Sequence, residues 1–234
     1  MINLSSSARI MVITAHPDDE ILGCGATINK WVNSGAEAFA LILGTGIASR
    51  CGNDKTTLSK DIENLQKNAK ESAEIIGYKT ISFESFPDNR MDDANLLDIV
   101  QKIILYAEMI KPDIVFTHHH GDLNIDHRIT FNAVITAFRP TRSCSADTIL
   151  CFETPSSTEW NFPYYKNVFS PNIFVNIEDN INAKIMALNC YKSELCHAPH
   201  PRSQESIQAI AKRWGSVADL QYAEAFELIR TRIM

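Results

Sequence analysis

Strand-like apolar runs alternate with helix-spaced stretches along the first 155 residues. In Ile10-Met11-Val12-Ile13 every position is hydrophobic, the pattern of a strand covered on both faces, so Arg9 to Thr14 is predicted as the first strand. The spacing then predicts a helix over Ile21 to Asn33, ended near Gly35, and a second strand over Ala38 to Leu43. A loop carrying Gly44, Gly46 and Gly52 leads to a long helix, Thr57 to Ile76, punctuated by Gly77. Thr80 to Phe86 reads as a third strand, and Leu96 to Ile110 as a helix that stops before Lys111-Pro112. Asp113 to Thr117, Ile125 to Phe138 and Thr148 to Phe152 complete the series as strand, helix and strand. Strands separated by helices imply right-handed crossovers and a mainly parallel sheet.

Beyond Glu153 the alternation weakens. Thr154 to Pro171 is rich in Ser, Pro and aromatics and reads as a long loop of the kind recruited to binding. Ile173 to Ile177 adds a strand, Ile181 to Tyr191 a helix, and Ser203 to Trp214 with Ala218 to Arg230 one or two more helices. The expected fold is α/β: a Rossmann-like three-layer sandwich with a mainly parallel twisted sheet and a C-terminal helical elaboration. With no repeat or linker in view, one domain spans residues 1–234, its core being 1–155 and its elaboration 156–234.

Chemistry concentrates where two of these strands end. Ala15-His16-Pro17-Asp18-Asp19-Glu20 follows the first strand, and the carboxyl ends of parallel strands are where open α/β sheets place ligands. Adjacent carboxylates repel, so Asp18 beside Asp19 is costly without a cation or a task. The plain alternative is a solvated acidic turn leading into the next helix. The fourth strand runs into His118-His119-His120-Gly121-Asp122-Leu123-Asn124-Ile125-Asp126-His127-Arg128. If strands one and four are neighbours, the two loops face each other, and His127 completes a set with His16 and Asp19. Two imidazoles and one carboxylate, with a fourth position left for water, is the ligand count of a catalytic zinc site. Asp126 either orients His127 as a supporting carboxylate or bonds elsewhere, capping the helix that starts nearby. Of the three consecutive histidines, one is expected to pack within the site.

Composition excludes more than it selects. Net charge is −6, hydrophobic residues make up 45% and charged residues 21%, and no long basic run exists, which argues against nucleic acid as a partner. No apolar stretch is long enough to span a bilayer, and the N-terminus lacks the basic and apolar regions of an export signal. Cys24, Cys51, Cys144, Cys151, Cys190 and Cys196 form no C-x-x-C pair, as expected of reduced thiols in a cytoplasmic protein. The remaining partners are a small molecule and further copies of the chain as a homo-oligomer. Gly23-Cys24-Gly25 raises a nucleotide-binding alternative, but the third glycine of that motif would fall on Ile28.

The hexapeptide Ala15-His16-Pro17-Asp18-Asp19-Glu20 resembles the signature of the LmbE/PIG-L family of zinc-dependent N-deacetylases. Gly121 to Arg128 resembles its second motif, and Tyr222-Ala223-Glu224-Ala225-Phe226-Glu227 a further landmark. The resemblance implies zinc on His16, Asp19 and His127, Asp18 as general base, and an N-acetylated amino sugar or its conjugate as substrate. Asn124 stands where the family often has a histidine. Its amide can donate a hydrogen bond to an oxyanion but cannot carry a proton. Asp18 then serves as both base and acid, or His120 or His200 supplies the proton. Arg50, Asp88, Arg90 and His200 are the candidate substrate contacts, with an ordinary ion pair between Asp88 and an arginine as the alternative. Trp160 is suited either to stack on a sugar or to anchor its loop. Rival readings are a zinc hydrolase of another amide and a non-catalytic metal-binding protein.

Overall fold

The computed structural model describes residues 7–46, 55–141, 145–162 and 167–233. Among these, five strands run in parallel: β1 (Arg9–Thr14), β2 (Glu37–Gly44), β3 (Thr80–Phe86), β4 (Ile114–His118) and β5 (Thr148–Phe152). The helices between them are α1 (Asp19–Asn33), α2 (Lys55–Ile76), α3 (Leu96–Ile110) and α4 (Ile125–Ala137). The chain continues through β6 (Ile173–Asn176), α5 (Ile181–Leu188), α6 (Gln204–Val217) and β7 (Ala223–Thr231). Sheet order is β3-β2-β1-β4-β5-β7-β6. None of the described helices is long and apolar enough to cross a membrane.

Continuous hydrophobic runs make β1 a two-faced strand. Ile10 and Val12 enter one apolar layer, with α1, α2 and α5 residues such as Ile21, Ile76 and Leu188. Met11 and Ile13 enter the opposite layer, with Ile99, Ile103 and Val134 of α3 and α4. Period-two alternation in a strand sandwiched by helices gives the three layers. α1 lies very close to β5, where a Cβ on Gly23 would meet the Phe152 ring at 2.3 Å.

The chain winds outward from β1 to β3 and then returns to β4 on the other side of β1. β1 and β4 are therefore adjacent, with Ile10 opposite Ile114 and Val12 opposite Phe116. This is the point where strand order reverses and the crevice for a ligand opens. Both motif loops leave from it.

The C-terminal elaboration differs from the expectation. Ala218 to Arg230 is not helical: Ala223–Thr231 is strand β7, antiparallel to both β5 and β6. The Ala- and Glu-rich segment has good helix formers, but β5 needs a partner on its open side, and Phe226 fills a gap against Phe116 at 5.0 Å between ring centroids. Tertiary pairing overrides local propensity here.

Candidate active site

The first motif loop is built around a strained residue. Asp18 has φ 100 and ψ −29, a left-handed conformation that L-residues rarely adopt outside functional sites. Local hydrogen bonds hold it there: its N–H donates to Glu20 Oε2 at 3.0 Å, and its carbonyl accepts from Ile21 and Leu22. The Tyr191 hydroxyl in turn donates to Glu20 Oε1. Pro17 packs on Gly46, where a Cβ would sit 2.7 Å from its ring. The resulting turn throws Asp18 and Asp19 in different directions.

Asp19 faces the histidines. Its Oδ2 lies 3.5 Å from His16 Nδ1 and 3.4 Å from His127 Nε2, and it accepts the His16 N–H at 2.9 Å. His16, Asp19 and His127 each offer a ligand atom, all within 4.8 Å of one another. Asp19 Oδ1 and both ring nitrogens of His127 are buried without a well-aligned hydrogen bond. Orphaned buried donors and acceptors are expensive unless something fills the gap between them. A divalent cation fits: two imidazole nitrogens and one carboxylate are a borderline donor set suited to zinc.

Each histidine has its own carboxylate on the outer nitrogen. His16 Nε2 is 2.9 Å from Asp126 Oδ2 and 3.3 Å from Asp88 Oδ1. His127 Nδ1 is 3.1 Å from Asp122 Oδ1. Such carboxylates fix which nitrogen faces a metal. Of the alternatives open for Asp126, the structure shows a bond to His16 and not to its neighbour His127. On α4 successive side chains diverge by about 100°, so Asp126 points across to His16 of the first loop and also accepts from the N–H groups of Asn89 and Met91 in the loop after β3.

The electrostatics express the same crowding. Burial would lower the His16 pKa, but hydrogen bonds to Asp126 and Asp19 push it up to about 10. His127 goes up to about 9, its burial outweighed by Asp19 and Asp122. Burial would raise the Asp19 carboxyl, yet the His127 charge and the hydrogen bonds of His127 and His16 hold it well below the usual range. Asp18 behaves oppositely. Burial raises it to about 7 against the pull of Arg202.

The three consecutive histidines separate. His118 enters the site: its ring stacks on His127 at 3.9 Å, and its Nε2 accepts the Ala15 N–H at 2.9 Å. With that lone pair engaged and burial lowering its pKa to about 3, it is a neutral scaffold that fastens β1 to β4. His119 pairs with Glu227 at 2.7 Å, and His120 packs on His119 and Phe131.

Other expected contacts are redistributed. Asn124 caps α4, its Oδ1 accepting from Asp126 N at 2.8 Å while its Nδ2 donates to Asn89. The carbonyl end is taken by the cap, while Nδ2 has a second N–H beyond the one given to Asn89. Asp88 is buried against His16, and Arg90 pairs instead with Asp93 at the exposed end of its loop. Arg50 lies outside the described residues. His200 accepts the Arg202 N–H and packs edge-on against Trp160 at 5.6 Å. Asp122, Tyr191 and above all Arg202 have partners that the sequence does not single out: Arg202 Nη1 donates to Asp18 Oδ2 at 2.7 Å. In the sequence the Pro199-His200-Pro201-Arg202-Ser203 run is legible only as a candidate lining of the pocket.

With this geometry in place, comparisons with known proteins become informative. The model of the PIG-L family, GlcNAc-PI de-N-acetylase, matches residues 11–138, which carry both loops and the whole ligand trio. The diacetylchitobiose deacetylase of Thermococcus kodakarensis is 23% identical over 226 residues, 94% of this chain and 83% of that protein. Among solved structures, N,N'-diacetylchitobiose deacetylase from Pyrococcus horikoshii has a TM-score of 0.76 at 20% identity, covering 96% of this chain and 84% of that one. GalB, the 4-carboxy-2-hydroxymuconate hydratase of Pseudomonas putida, also reaches 0.76 at 20% identity, covering 97% and 98% of the two chains. The fold alone thus does not name the reaction. A match over more than half of the sequence, centred on the two loops, does settle kinship: the chain belongs to the PIG-L family of de-N-acetylases.

Proposed function

We propose that this chain is a zinc-dependent hydrolase that removes the acetyl group from the nitrogen of an N-acetylated amino sugar or its conjugate, releasing acetate. The observation that carries the reading is a division of labour inside one hexapeptide. His16 and Asp19 face His127, while Asp18 is turned away from that grip and keeps Oδ1 free of any protein hydrogen bond among the described residues. A metal used only for structure would need no such spare carboxylate.

Zinc held by His16, Asp19 and His127 would supply a nucleophilic water and polarise the amide carbonyl. Asp18 Oδ1 takes the proton of the attacking water as its oxygen bonds to the acetyl carbon. The C–N bond then breaks, and Asp18 returns that proton to the departing nitrogen, so one water is consumed and acetate and a free amine leave. Neither His120 nor His200 touches Asp18 or the ligand trio, which favours Asp18 as both base and acid. His118 keeps the two loops in register throughout. Small-molecule substrate rather than nucleic acid fits the acidic surroundings. Cys24, Cys151, Cys190 and Cys196 are free thiols, which supports a cytoplasmic setting.

Acetate release across a panel of N-acetyl sugars, their nucleotide-linked conjugates and N-acyl amino acids tests the reading. Turnover is expected on an N-acetyl sugar, abolished by chelator and restored by zinc. Turnover of only the amino acid derivatives, or activity indifferent to chelator, overturns it.

A further inference from the structure

Asp18 has its backbone fixed by one part of the chain and its carboxylate by another. The φ of 100, the N–H bond to Glu20 and the two amides received by its carbonyl leave the main chain no freedom. What remains is rotation of the side chain, and Arg202 removes it. Nη1 of Arg202 donates to Oδ2 at 2.7 Å, with the two side chains only 18% and 4% exposed. Oδ1 has no protein partner among the described residues, so one oxygen is tethered and the other is left for chemistry.

The arginine is itself anchored from three directions. Its Nε donates to Ser156 Oγ at 2.9 Å and to the Pro155 carbonyl at 3.4 Å. Its backbone N–H donates to His200 Nδ1 at 3.1 Å, and Glu194 lies 3.8 Å from Nη1. A planar guanidinium with donors in a fixed fork suits this task, whereas a lysine ammonium reaches only one such set. Ser156 opens the turn that carries Trp160, and Trp160 packs on His200. The arginine therefore joins the loop over the crevice to the carboxylate beneath it.

We infer that Arg202 is a positioning residue for the hydrolysis proposed above, holding Asp18 Oδ2 so that Oδ1 alone meets the nucleophilic water. The inference rests on the deacetylase reading for its kinetic consequence but not for its structural one. It also suits a site in which Asn124 cannot carry a proton: a single carboxylate that must take and return the same proton needs a fixed direction.

A double-substitution cycle separates positioning from simple anchoring of the 197–203 segment. Arg202→Ala is expected to keep one metal per chain and a KM within about threefold of the parent, while kcat falls about 100-fold, as misplacing a catalytic group by an ångström does. In the Asp18→Asn background the same change should cost nothing further, because no base remains to be aimed. Added guanidinium should recover part of the lost rate in Arg202→Ala. If Arg202→Ala fails to fold, Arg202→Lys takes its place, with a kcat loss of about tenfold expected from the missing fork. Equal losses in the presence and absence of Asp18 would overturn the inference. A crystal structure of the variant gives a readout without substrate: the Asp18 carboxylate should rotate from its present torsion. An unmoved Asp18 would overturn positioning even in an enzyme whose substrate proves different, whereas an inactive parent with a rotated Asp18 in the variant would overturn only the deacetylase reading.

Discussion

The two sides of this site are built on different length scales. The candidate metal-facing side comes from two short loops at the ends of adjacent parallel strands, β1 and β4, and His16, Asp19 and His127 all lie within residues 11–138. The base-facing side is assembled from afar: Glu20 meets Tyr191, and Asp18 meets Arg202, 184 residues along the chain. One side needs only the doubly wound core to bring its parts together. The other needs the elaboration after β5 to be docked.

The most damaging changes should split the two sides outright. Asp18→Asn is expected to keep one metal per chain and to lose about 10³-fold in turnover, within the range that general acid–base groups contribute. His16→Ala and His127→Ala should lose metal and turnover together. Metal analysis of the purified variants beside acetate release reads both quantities. Loss of metal in Asp18→Asn would mean that the carboxylate belongs to the grip, and the contrast between the sides would disappear.

Next in size are the two supporting carboxylates. Asp126→Ala and Asp122→Ala should each weaken metal affinity by about 10- to 100-fold, the usual cost of losing such a partner. They differ in what else they hold. Asp126 accepts the amides of Asn89 and Met91 in the loop after β3, while Asp122 receives the hydroxyls of Ser157 and Thr158 in the loop that anchors Arg202. Excess metal should therefore restore kcat in Asp126→Ala and leave Asp122→Ala slow. Full restoration of both by metal titration would show that the loop and the base are not coupled through Asp122.

The same division of scales decided what could be read from the sequence. Apolar runs such as Ile10 to Ile13 and Ile114 to Phe116 need only their own composition to declare a buried strand, and the reversal between β1 and β4 follows from standard winding. That His16, Asp19 and His127 would converge was legible because they sit at the ends of those runs. Partner choice was not: Asp126 adjoins His127 in sequence yet serves His16, because a helix turns neighbouring side chains apart. Nor did Asn124 announce that its Oδ1 would cap α4. β7 was misread as helix since Ala223-Glu224-Ala225 favours one, and only the open side of β5 shows that a strand is wanted there. Arg202 lies in a run legible only as a candidate pocket lining, an arginine in a proline-flanked loop whose partner appears only when Asp18 is beside it.

The smallest predicted effect tests whether the elaboration contributes stability apart from the site. His119 Nδ1 lies 2.7 Å from Glu227 Oε2 of β7, and His119 Nε2 lies 3.0 Å from the Asn167 carbonyl. Both ring nitrogens can donate only in the imidazolium form. Burial opposes that charge, but Glu227 and the carbonyl prevail and raise the His119 pKa above 6.5. Glu227 is likewise resisted by burial and drawn below 4.5 by His119 and the Ser170 amide. A raised folded-state histidine stabilises fully below its unfolded pKa and loses that benefit as pH rises through the folded value. A lowered carboxyl stabilises fully above its unfolded pKa and loses it as pH falls through the folded one. The pair is therefore worth most between pH 4.5 and 6.5. His119→Asn should lose about 1 to 2 kcal/mol in that window by thermal or denaturant melting, with the deficit shrinking as pH climbs and metal content unchanged. A deficit equal at pH 6 and at strongly alkaline pH would reduce the pair to packing, and a loss of metal would tie β7 to the ligand trio after all.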